Sequence, residues 1–301
     1  MWLRYRYRLY PEPGQQVALA RTFGCARVVF NDALAAREAA RRAGEPYLTD
    51  AQLSARLTAA KATPGRAWLT EVSAVVLQQA LADLNTAYRN FFTSHTGKRN
   101  GPTVGKPRFR SRKDHRQAIR FTANARFKIL PNGKLRLPKI GDVPVRWSRP
   151  MPGEPSTVTV MRDSAGRYFA SFVIETRPAV LPRAESVIGI DLGLKHFAVL
   201  SDGRKIAAPR FLRRAEKMLK RRQRSLSRKQ KGSKNRDKAR VKLARAHARV
   251  ADARRDFHHQ LSTALIRDSQ AVAVEDLAVR GLARTRLGAA SQVPGIRVGA
   301  D

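Results

Sequence analysis

The sequence predicts an α+β protein of more than one domain, in which a helical insert interrupts a small β-barrel and a mixed α/β domain follows. A strand-like segment stands at the N-terminus, a long helical segment comes next, and several short strand-like segments follow it. Further along, two apolar runs each end in or contain an acidic residue, and two basic helices lie between them. With 301 residues, the chain is long enough for two or three modules with cores of their own.

The charge of the chain predicts a nucleic-acid partner. Lys and Arg number 60 against 23 Asp and Glu, a net charge of +37. Such a field favours polyphosphates, because each neutralised phosphate releases condensed counterions. A basic protein without such a partner, or a binder of membrane surfaces, is the alternative. No apolar run approaches the ~20 residues that span a bilayer and no N-terminal signal pattern is present, so we expect no membrane and a cytoplasmic, nucleoid-associated protein.

The single cysteine limits the chemistry of the chain. Cys25 cannot form an intrachain disulfide, and one thiolate cannot build a zinc cluster. Its apolar neighbours favour a buried, small hydrophobic side chain in a reducing cytosol. We therefore expect no zinc ribbon in this sequence.

Residues 2–9 alternate apolar and basic side chains, which predicts a half-buried strand with a row of guanidinium groups on its outer face. A solvated sheet edge and a row that faces phosphates both fit this pattern. The candidate phosphate contacts of this row are Arg4, Arg6 and Arg8.

Residues 11–115 predict a helical insert that ends in a basic linker. Apolar residues recur at spacings of three and four, and Thr49 followed by Gln52 forms a capping-box pattern that opens a short helix. From residue 98 the sequence is rich in Gly, Pro, Lys and Arg, which indicates a loop. The candidate phosphate contacts in this linker are Arg108, Arg110, Arg112 and Lys113.

The short strands that follow, together with the N-terminal strand, predict a small barrel or a curled sheet, which comprises residues 1–10 and 116–182. Asn132-Gly133 is the strongest hairpin cue among them. We expect Trp147, Phe169 and Phe172 in the barrel core. The predicted strands are 117–122, 126–130, 134–137, 143–147, 156–161 and 168–175.

Residues 186–287 predict a second domain that starts with a strand ending at Asp191 and continues into a hairpin. Asp202 falls in the hairpin turn, where Asp is common because its side chain accepts hydrogen bonds from the backbone of the turn. A third strand and two strongly basic helices follow, joined near Gly232. The second helix carries an apolar seam for pairing with the first. The candidate nucleic-acid contacts of this hairpin are Lys220, Arg221, Arg222, Arg224, Arg228 and Lys229.

Two acids on apolar strands point to metal-dependent phosphodiester chemistry. The element order matches the first half of an RNase H-like fold, in which Asp191 on the first strand and Glu275 on the fourth lie side by side. Hard oxygen ligands suit Mg²⁺ or Mn²⁺, and two such ions activate water and stabilise the leaving oxygen. Two ions need at least three carboxylates in this fold. Asp276 cannot be the third simply because it follows Glu275, since successive strand residues point to opposite faces of the sheet.

A glycine-rich strand before a hairpin also opens the actin-like ATPases, which bind phosphate in the turn. Those proteins usually have Thr or Ser after the second glycine, where this sequence has Leu194. No second Asp-Gly-rich phosphate loop follows, and the net charge does not suit that class. The nuclease interpretation is therefore favoured over the ATPase.

Several motifs along most of the chain resemble the TnpB (OrfB) family of transposon-encoded proteins, which are related to type V CRISPR effector nucleases. They are Arg8-Leu9-Tyr10-Pro11, Phe23-Gly24-Cys25-Ala26-Arg27 with Asn31, Gly105-Lys106-Pro107-Arg108-Phe109-Arg110-Ser111, Gly189-Ile190-Asp191-Leu192-Gly193 and Val274-Glu275-Asp276-Leu277. The resemblance implies a wedge-like β-barrel, a helix-turn-helix-like recognition insert and a RuvC nuclease domain. It also implies a guide RNA that directs DNA cleavage, with Asp191 and Glu275 as the first two catalytic acids.

The resemblance ends before the C-terminus. The family continues with a helix, a zinc ribbon and a third catalytic Asp, whereas residues 288–301 form a divergent tail here. We therefore expect a truncated chain with an incomplete RuvC domain that holds Mg²⁺ or Mn²⁺ weakly if at all.

We expect a transposon-associated RNA-guided DNA endonuclease that binds a guide RNA and single- and double-stranded DNA. Its cleavage activity is expected to be lost through truncation unless the chain is completed in trans. The alternatives are a nuclease-dead protein that blocks or regulates a target site and a non-functional remnant. Whether the chain is an enzyme, its oligomeric state, its guide and its target motif stay open.

Overall fold

The computed structural model describes residues 1–114, 117–177, 182–193 and 195–274. The chain divides into two compact units, 1–178 and 179–301, which are described separately. Among the described residues, every helix is too short or too polar to cross a bilayer.

The first unit contains two antiparallel sheets. Five strands form one sheet in the order β2-β7-β8-β1-β6, and three short strands form the other in the order β3-β4-β5. The pairing of β1 with β8 along their whole lengths joins the N-terminal strand to strands far along the chain. The strands are β1 Trp2–Leu9, β2 Gln117–Thr122, β3 Lys128–Ile129, β4 Leu135–Leu137, β5 Gly141–Val143, β6 Val145–Arg146, β7 Thr157–Arg162 and β8 Tyr168–Glu175.

The prediction of a closed barrel is wrong for the described part of this unit, because the five-stranded sheet is open. β2 and β6 are its edges, and β6 is only two residues long. Pro144 divides the predicted strand 143–147 into β5 and β6, since proline has no N–H to donate to a continuous ladder. Its carbonyl instead accepts a hydrogen bond from the Tyr10 amide at 3.0 Å. Alternating residues predicted most of the strands, but not the break at Pro144 or how the ends of the sheet meet.

Helices fill the predicted insert. The Thr49 capping box is confirmed, because the Gln52 amide donates to Thr49 Oγ1 at 3.3 Å and the Thr49 amide donates to Gln52 Oε1 at 2.8 Å. Pro13 opens the longest of these helices, a position where a missing N–H costs nothing. The helices are α1 Pro13–Arg42, α2 Asp50–Ala62, a short 3₁₀ turn Ala67–Glu71 and α3 Ala74–His95.

One apolar core joins the helices and the five-stranded sheet of the first unit. Tyr7 and Phe172 of the sheet are fully buried against this core, as are Leu19 of α1 and Leu84 of α3. Burying one such side chain contributes about 1.5–3 kcal/mol of transfer free energy. Trp147 is only partly buried, but its indole Nε1 donates to the Gly133 carbonyl at 2.7 Å.

The second unit has a four-stranded sheet in the order β11-β10-β9-β12, and β12 runs parallel to β9. The predicted hairpin is confirmed, and Asp202 accepts hydrogen bonds in its turn from the Arg204 amide and side chain at 3.0 and 2.6 Å. The elements are β9 Val187–Asp191, β10 His196–Leu200, β11 Lys205–Ala207, α4 Phe211–Ser227, α5 Lys234–Asp268 and β12 Ala271–Val274.

Helix α5 makes two different contacts along its length. Its N-terminal half packs on α4 through Leu243 and Ala246, which form a small core with Leu219. Near its C-terminus, Leu265 packs instead against Ile188 and other residues of the sheet. Only the N-terminal part of the predicted apolar seam of α5 therefore packs on α4. The last turns of α5 cover one face of the sheet instead.

Candidate functional site

Asp191 is the last residue of β9 and is exposed. It lies on the face of the sheet opposite to Ile188 and Ile190, which pack towards α5. With Gly189, Ser201 and other residues it lines a shallow open groove. Within the described part of this unit, that face of the sheet is uncovered, so Asp191 is accessible to a ligand.

Small residues form the floor of this groove. A Cβ at Gly189 would lie 3.4 Å from the Ser201 Cβ, so the two positions already touch across the strands. The Gly189 amide donates to Ser201 Oγ at 2.9 Å, and the Ser201 amide donates to the Gly189 carbonyl at 2.9 Å. These bonds hold the end of the hairpin against β9, and Val199 is the residue directly opposite Asp191.

Hydrogen bonds at the start of β9 and β12 fix their register. Ser186 Oγ donates to the Asp268 carbonyl at 2.6 Å, and the Gln270 amide donates to the Ser186 carbonyl at 2.8 Å. The parallel pairing then places Val274 opposite Ile190. β9 and β12 are thus adjacent and parallel.

Glu275, the predicted partner of Asp191, lies outside the described residues, so their meeting stays a prediction. Among the described residues, no three His, Cys, Asp or Glu side chains come together as a candidate metal site. The carboxylate of Asp191 is itself the kind of hard oxygen donor that Mg²⁺ and Mn²⁺ prefer.

The basic helices α4 and α5 enclose a groove whose described lining contains no acidic residue. Of the predicted contacts, two on α4 and one just after it line this groove, and α5 contributes four basic residues that the sequence interpretation missed. Their spacing of four, three and four along α5 places them on one helical face, a pattern that could have identified them. The basic lining consists of Arg221, Arg222, Lys229, Lys238, Lys242, Arg245 and Arg249.

Two of the predicted contacts on α4 also interact with other residues of the protein. Arg222 is half-buried and donates from Nη1 to the Lys242 carbonyl at 2.9 Å, so it also joins the two helices. Lys220 forms an ion pair with Glu216 at 2.6 Å, which partly neutralises it. Basic residues of α4, and those that follow it, also line a second open groove. Five of the predicted contacts belong to this second lining: Lys220, Arg221, Arg224, Arg228 and Lys229.

The arginine row of β1 lies on the outer face of the five-stranded sheet, as the alternation predicted. Arg4 and Arg6 are exposed, and Arg8 is half-buried. The guanidinium carbons of Arg6 and Arg8 lie 3.9 and 5.1 Å from the centre of the Phe169 ring. The expectation that Phe169 is a core residue is wrong, because the buried apolar residues of β8 are Tyr168, Ala170, Phe172 and Ile174, and Phe169 faces the other way.

The four predicted residues of the basic linker divide into two kinds. Arg108, Arg112 and Lys113 are exposed. Arg110 is half-buried: its guanidinium lies 3.7 Å from the Phe30 ring centre and forms an ion pair with Asp83 at 3.4 Å. Arg110 therefore fixes the linker to the helices, whereas the other three present their charges to the surroundings.

Comparison with known proteins identifies the family. A model of the OrfB type described as "Probable transposase" matches residues 171–286, and a "Helix-turn-helix domain" model of the same type matches residues 1–46. The chain is 44% identical over 281 residues to a "Putative RNA-guided DNA endonuclease" of Streptomyces pristinaespiralis, covering 92% of this chain and 67% of that protein. It is 33% identical over 296 residues to "Putative RNA-guided DNA endonuclease InsQ" of Escherichia coli K12, covering 98% and 70%.

Among solved structures, the Cas12f1–sgRNA–target DNA complex matches with a TM-score of 0.46 and 14% identity, covering 87% of this chain and 65% of that one. A second Cas12f ternary complex matches with a TM-score of 0.32 and 15% identity, covering 87% and 63%. The chain spans about two thirds of the length of these relatives. On the identities to the two endonuclease relatives, the chain belongs to the TnpB (OrfB) family of transposon-associated RNA-guided DNA endonucleases.

Proposed function

We propose that this chain binds a guide RNA, uses it to recognise DNA, and holds a divalent metal ion with Asp191 and Glu275 in a RuvC-type domain. The observation that carries this proposal is the parallel pairing of β12 with β9, which sets Val274 opposite Ile190. In sequence, each proposed ligand directly follows one of these two paired residues.

The open face beside Asp191 suits a phosphodiester substrate. Bound Mg²⁺ or Mn²⁺ would supply activation of water and stabilisation of the leaving oxygen. The chain's part is to hold the ion with hard carboxylate oxygens and to admit the nucleic-acid backbone. The small groove floor of Gly189 and Ser201 leaves space for that backbone.

The basic surfaces of the chain suit the positioning of nucleic acid rather than the recognition of its base sequence. Phosphate contacts fix register and orientation, whereas in a guided protein base pairing between guide and target reads the sequence. The groove between α4 and α5, the β1 arginine row and the exposed linker cations each offer several positive charges. The described lining of the groove contains no acidic residue. We assign these three surfaces to RNA and DNA backbones.

The finer architecture is part of the same proposal. We assign the five-stranded sheet with its neighbouring three strands to a wedge-like domain, residues 1–10 and 116–182. Residues 11–115 are then the recognition insert, and residues 186–287 the RuvC-type domain. The sheet order β11-β10-β9-β12, with β12 parallel to β9, supports the last assignment.

One experiment tests the proposal as a whole. The full chain is expressed in a bacterium with its flanking DNA, and the RNA that co-purifies is sequenced. A single recurring RNA, together with binding of plasmid DNA that matches its end but not of a mismatched plasmid, is the expected result. Random cellular RNA and equal binding of both plasmids would overturn it.

The same material separates guided cleavage from guided binding alone. The complex is incubated with the matched plasmid in Mg²⁺ or in EDTA, beside an Asp191→Ala variant. Cleavage that needs both Mg²⁺ and Asp191 assigns the chain as a nuclease. Retention of the plasmid without cleavage assigns it as a guided binder, and both outcomes keep RNA and DNA as its partners.

A further inference from the structure

An aromatic cluster at the C-terminal end of α3 is partly exposed, and none of the surfaces described above includes it. We define the α3 aromatic cluster as Tyr47, Tyr88, Phe91 and Phe92. Tyr47 is 52% exposed and Phe92 is 48% exposed, whereas Tyr88 is buried beneath them. Single exposed aromatic residues are ordinary, but several rings in contact on one surface indicate a binding site.

The rings have a fixed arrangement. Tyr88 and Phe92 stack with their centres 5.9 Å apart and their planes 26° from parallel. Tyr47 meets both rings edge-on, at 6.0 and 6.3 Å. Phe91 contacts Phe92 at 5.3 Å and extends the cluster along the helix. These contacts hold the exposed rings in place before any ligand arrives, which lowers the entropy cost of stacking a planar group on them.

A buried arginine holds Tyr47 in this position. The Arg37 side chain is only 1% exposed, and its guanidinium carbon lies 4.4 Å from the Tyr47 ring centre. It donates two hydrogen bonds to the Leu48 carbonyl and one to Asp50. Its Nη1 is buried without a hydrogen-bond partner among the described residues, an arrangement that costs stability. A costly buried charge that orders an exposed tyrosine suggests that the tyrosine serves a ligand.

The charges around the cluster are suited to an anionic ligand. Glu38 accepts a hydrogen bond from the Tyr88 hydroxyl at 3.3 Å and pairs with Arg41 at 3.3 Å, so its own charge is compensated. The Lys106 ammonium lies 6.0 Å from the Phe91 ring centre. Aromatic rings between cations form the usual surface for unpaired nucleotides, because rings stack bases while cations contact phosphates.

We propose that the α3 aromatic cluster stacks an unpaired base of the bound RNA, with Arg41 and Lys106 close to the adjoining phosphates. This inference rests on the proposed function, which supplies the RNA. RNA is favoured over DNA because loops and bulges of a folded RNA present unstacked bases permanently, whereas duplex DNA must first be opened. Stacking tolerates any base, so the cluster adds affinity without selecting a sequence.

The test compares two RNA probes on the full chain freed of cellular RNA. One probe is a stem-loop with eight unpaired adenines, and the other is a blunt RNA duplex with the same number of phosphates. The variant Tyr47→Ala with Phe92→Ala removes both exposed rings. We expect binding of the stem-loop to weaken about ten-fold, with less than about a two-fold change for the duplex.

Matched variants separate ring loss from misfolding. Tyr47→Phe with Phe92→Tyr keeps both rings and should bind the stem-loop as the unaltered chain does. A 2-aminopurine placed in the loop should lose its stacking-induced quenching only with the alanine variant. Equal weakening for both probes, no weakening at all, or failure of the ring-keeping variant to bind would each overturn the proposal.

Three further outcomes are decided by the same binding assay, with single-stranded oligo(dA) as a third probe. Single-stranded oligo(dA) that loses as much affinity as the stem-loop would overturn the choice of RNA. If the unaltered chain binds neither RNA probe, the proposed function fails. If it binds both and the alanine variant binds equally well, the proposed function stands and only the stacking role fails.

Discussion

Asn31 and Arg110 are joined by two hydrogen bonds that imitate a pair of strand residues. Asn31 Nδ2 donates to the Arg110 carbonyl at 3.0 Å, and the Arg110 amide donates to Asn31 Oδ1 at 2.8 Å. The Arg110 guanidinium packs over Phe30, the residue before Asn31 on α1. One amide side chain thus satisfies both backbone groups of a linker residue and fixes the basic linker to the first helix.

Replacing Asn31 should release this linker. In Asn31→Ala both bonds are lost, and we expect the unfolding free energy to fall by about 1–3 kcal/mol because two partly buried backbone groups lose their partner. Hydrogen exchange at the Arg110 amide should become faster. Asn31→Asp keeps the acceptor and should retain more protection at that amide than Asn31→Ala. Unchanged exchange in Asn31→Ala would contradict this account of the linker.

The groove between α4 and α5 should bind phosphates. Lys242→Ala with Arg245→Ala removes two charges from its lining, so RNA affinity should fall and its dependence on salt should weaken. For two lost phosphate contacts, the slope of log K against log salt should decrease by roughly 1.5. Filter binding at several salt concentrations measures both quantities.

The matched control for the groove is Arg255→Ala with Arg267→Ala. These exposed residues belong to the same helix but not to the groove lining. This pair removes the same formal charge as the groove variant, but from outside the groove lining, so we expect the slope to stay nearly unchanged. An equal decrease in both variants would mean that only net charge matters and that the groove is not a binding site.

Tyr88 should make the first unit less stable at alkaline pH. Burial, and then the neighbouring Glu38 charge and hydrogen bond, raises the pKa of Tyr88 from 10.0 to about 12. Below pH 10 the phenol is neutral in both states; between pH 10 and 12 it ionises mainly in the unfolded chain. The unfolding free energy should therefore fall as pH rises through this window, by up to about 1.4 kcal/mol per pH unit.

Urea unfolding of Tyr88→Phe measures this contribution directly. Other buried tyrosines remain in both proteins, so the difference between them isolates Tyr88. We expect the variant to lose less stability than the unaltered chain between pH 9.5 and about 11.5. Parallel pH profiles would show that Tyr88 ionises at its ordinary pKa in the folded protein.

Local sequence patterns predicted most individual elements of this fold. The alternation in β1 and β8, the capping box at Thr49 and the turn at Asp202 all depend on neighbours within a few residues. The parallel pairing of β9 and β12 followed from the order of elements, because a helical crossover joins parallel strands.

Features that depend on distant residues could not be predicted in the same way. Whether a sheet closes depends on how its two edges meet, and the Pro144 interruption leaves β6 as a short edge. Arg110 looked like a phosphate contact, but its partners Phe30 and Asp83 lie far away in sequence. Two other features could have been predicted from local sequence. The spacing of the basic residues on α5 indicates one basic helical face, and the alternation in β8 indicates that Phe169 points away from the core.

Binding of Mn²⁺ tests the central claim most directly. Mn²⁺ substitutes for Mg²⁺ at oxygen sites, and its free and bound forms are distinguished by electron paramagnetic resonance. The unaltered chain, Asp191→Ala and Glu275→Ala are titrated with Mn²⁺, and Asp202→Ala serves as a control because Asp202 is committed to Arg204 in the hairpin turn. We predict a bound ion that disappears in both the Asp191 and Glu275 variants and persists in the control. Equal Mn²⁺ binding by all four proteins would contradict the claim that these two carboxylates share a metal ion.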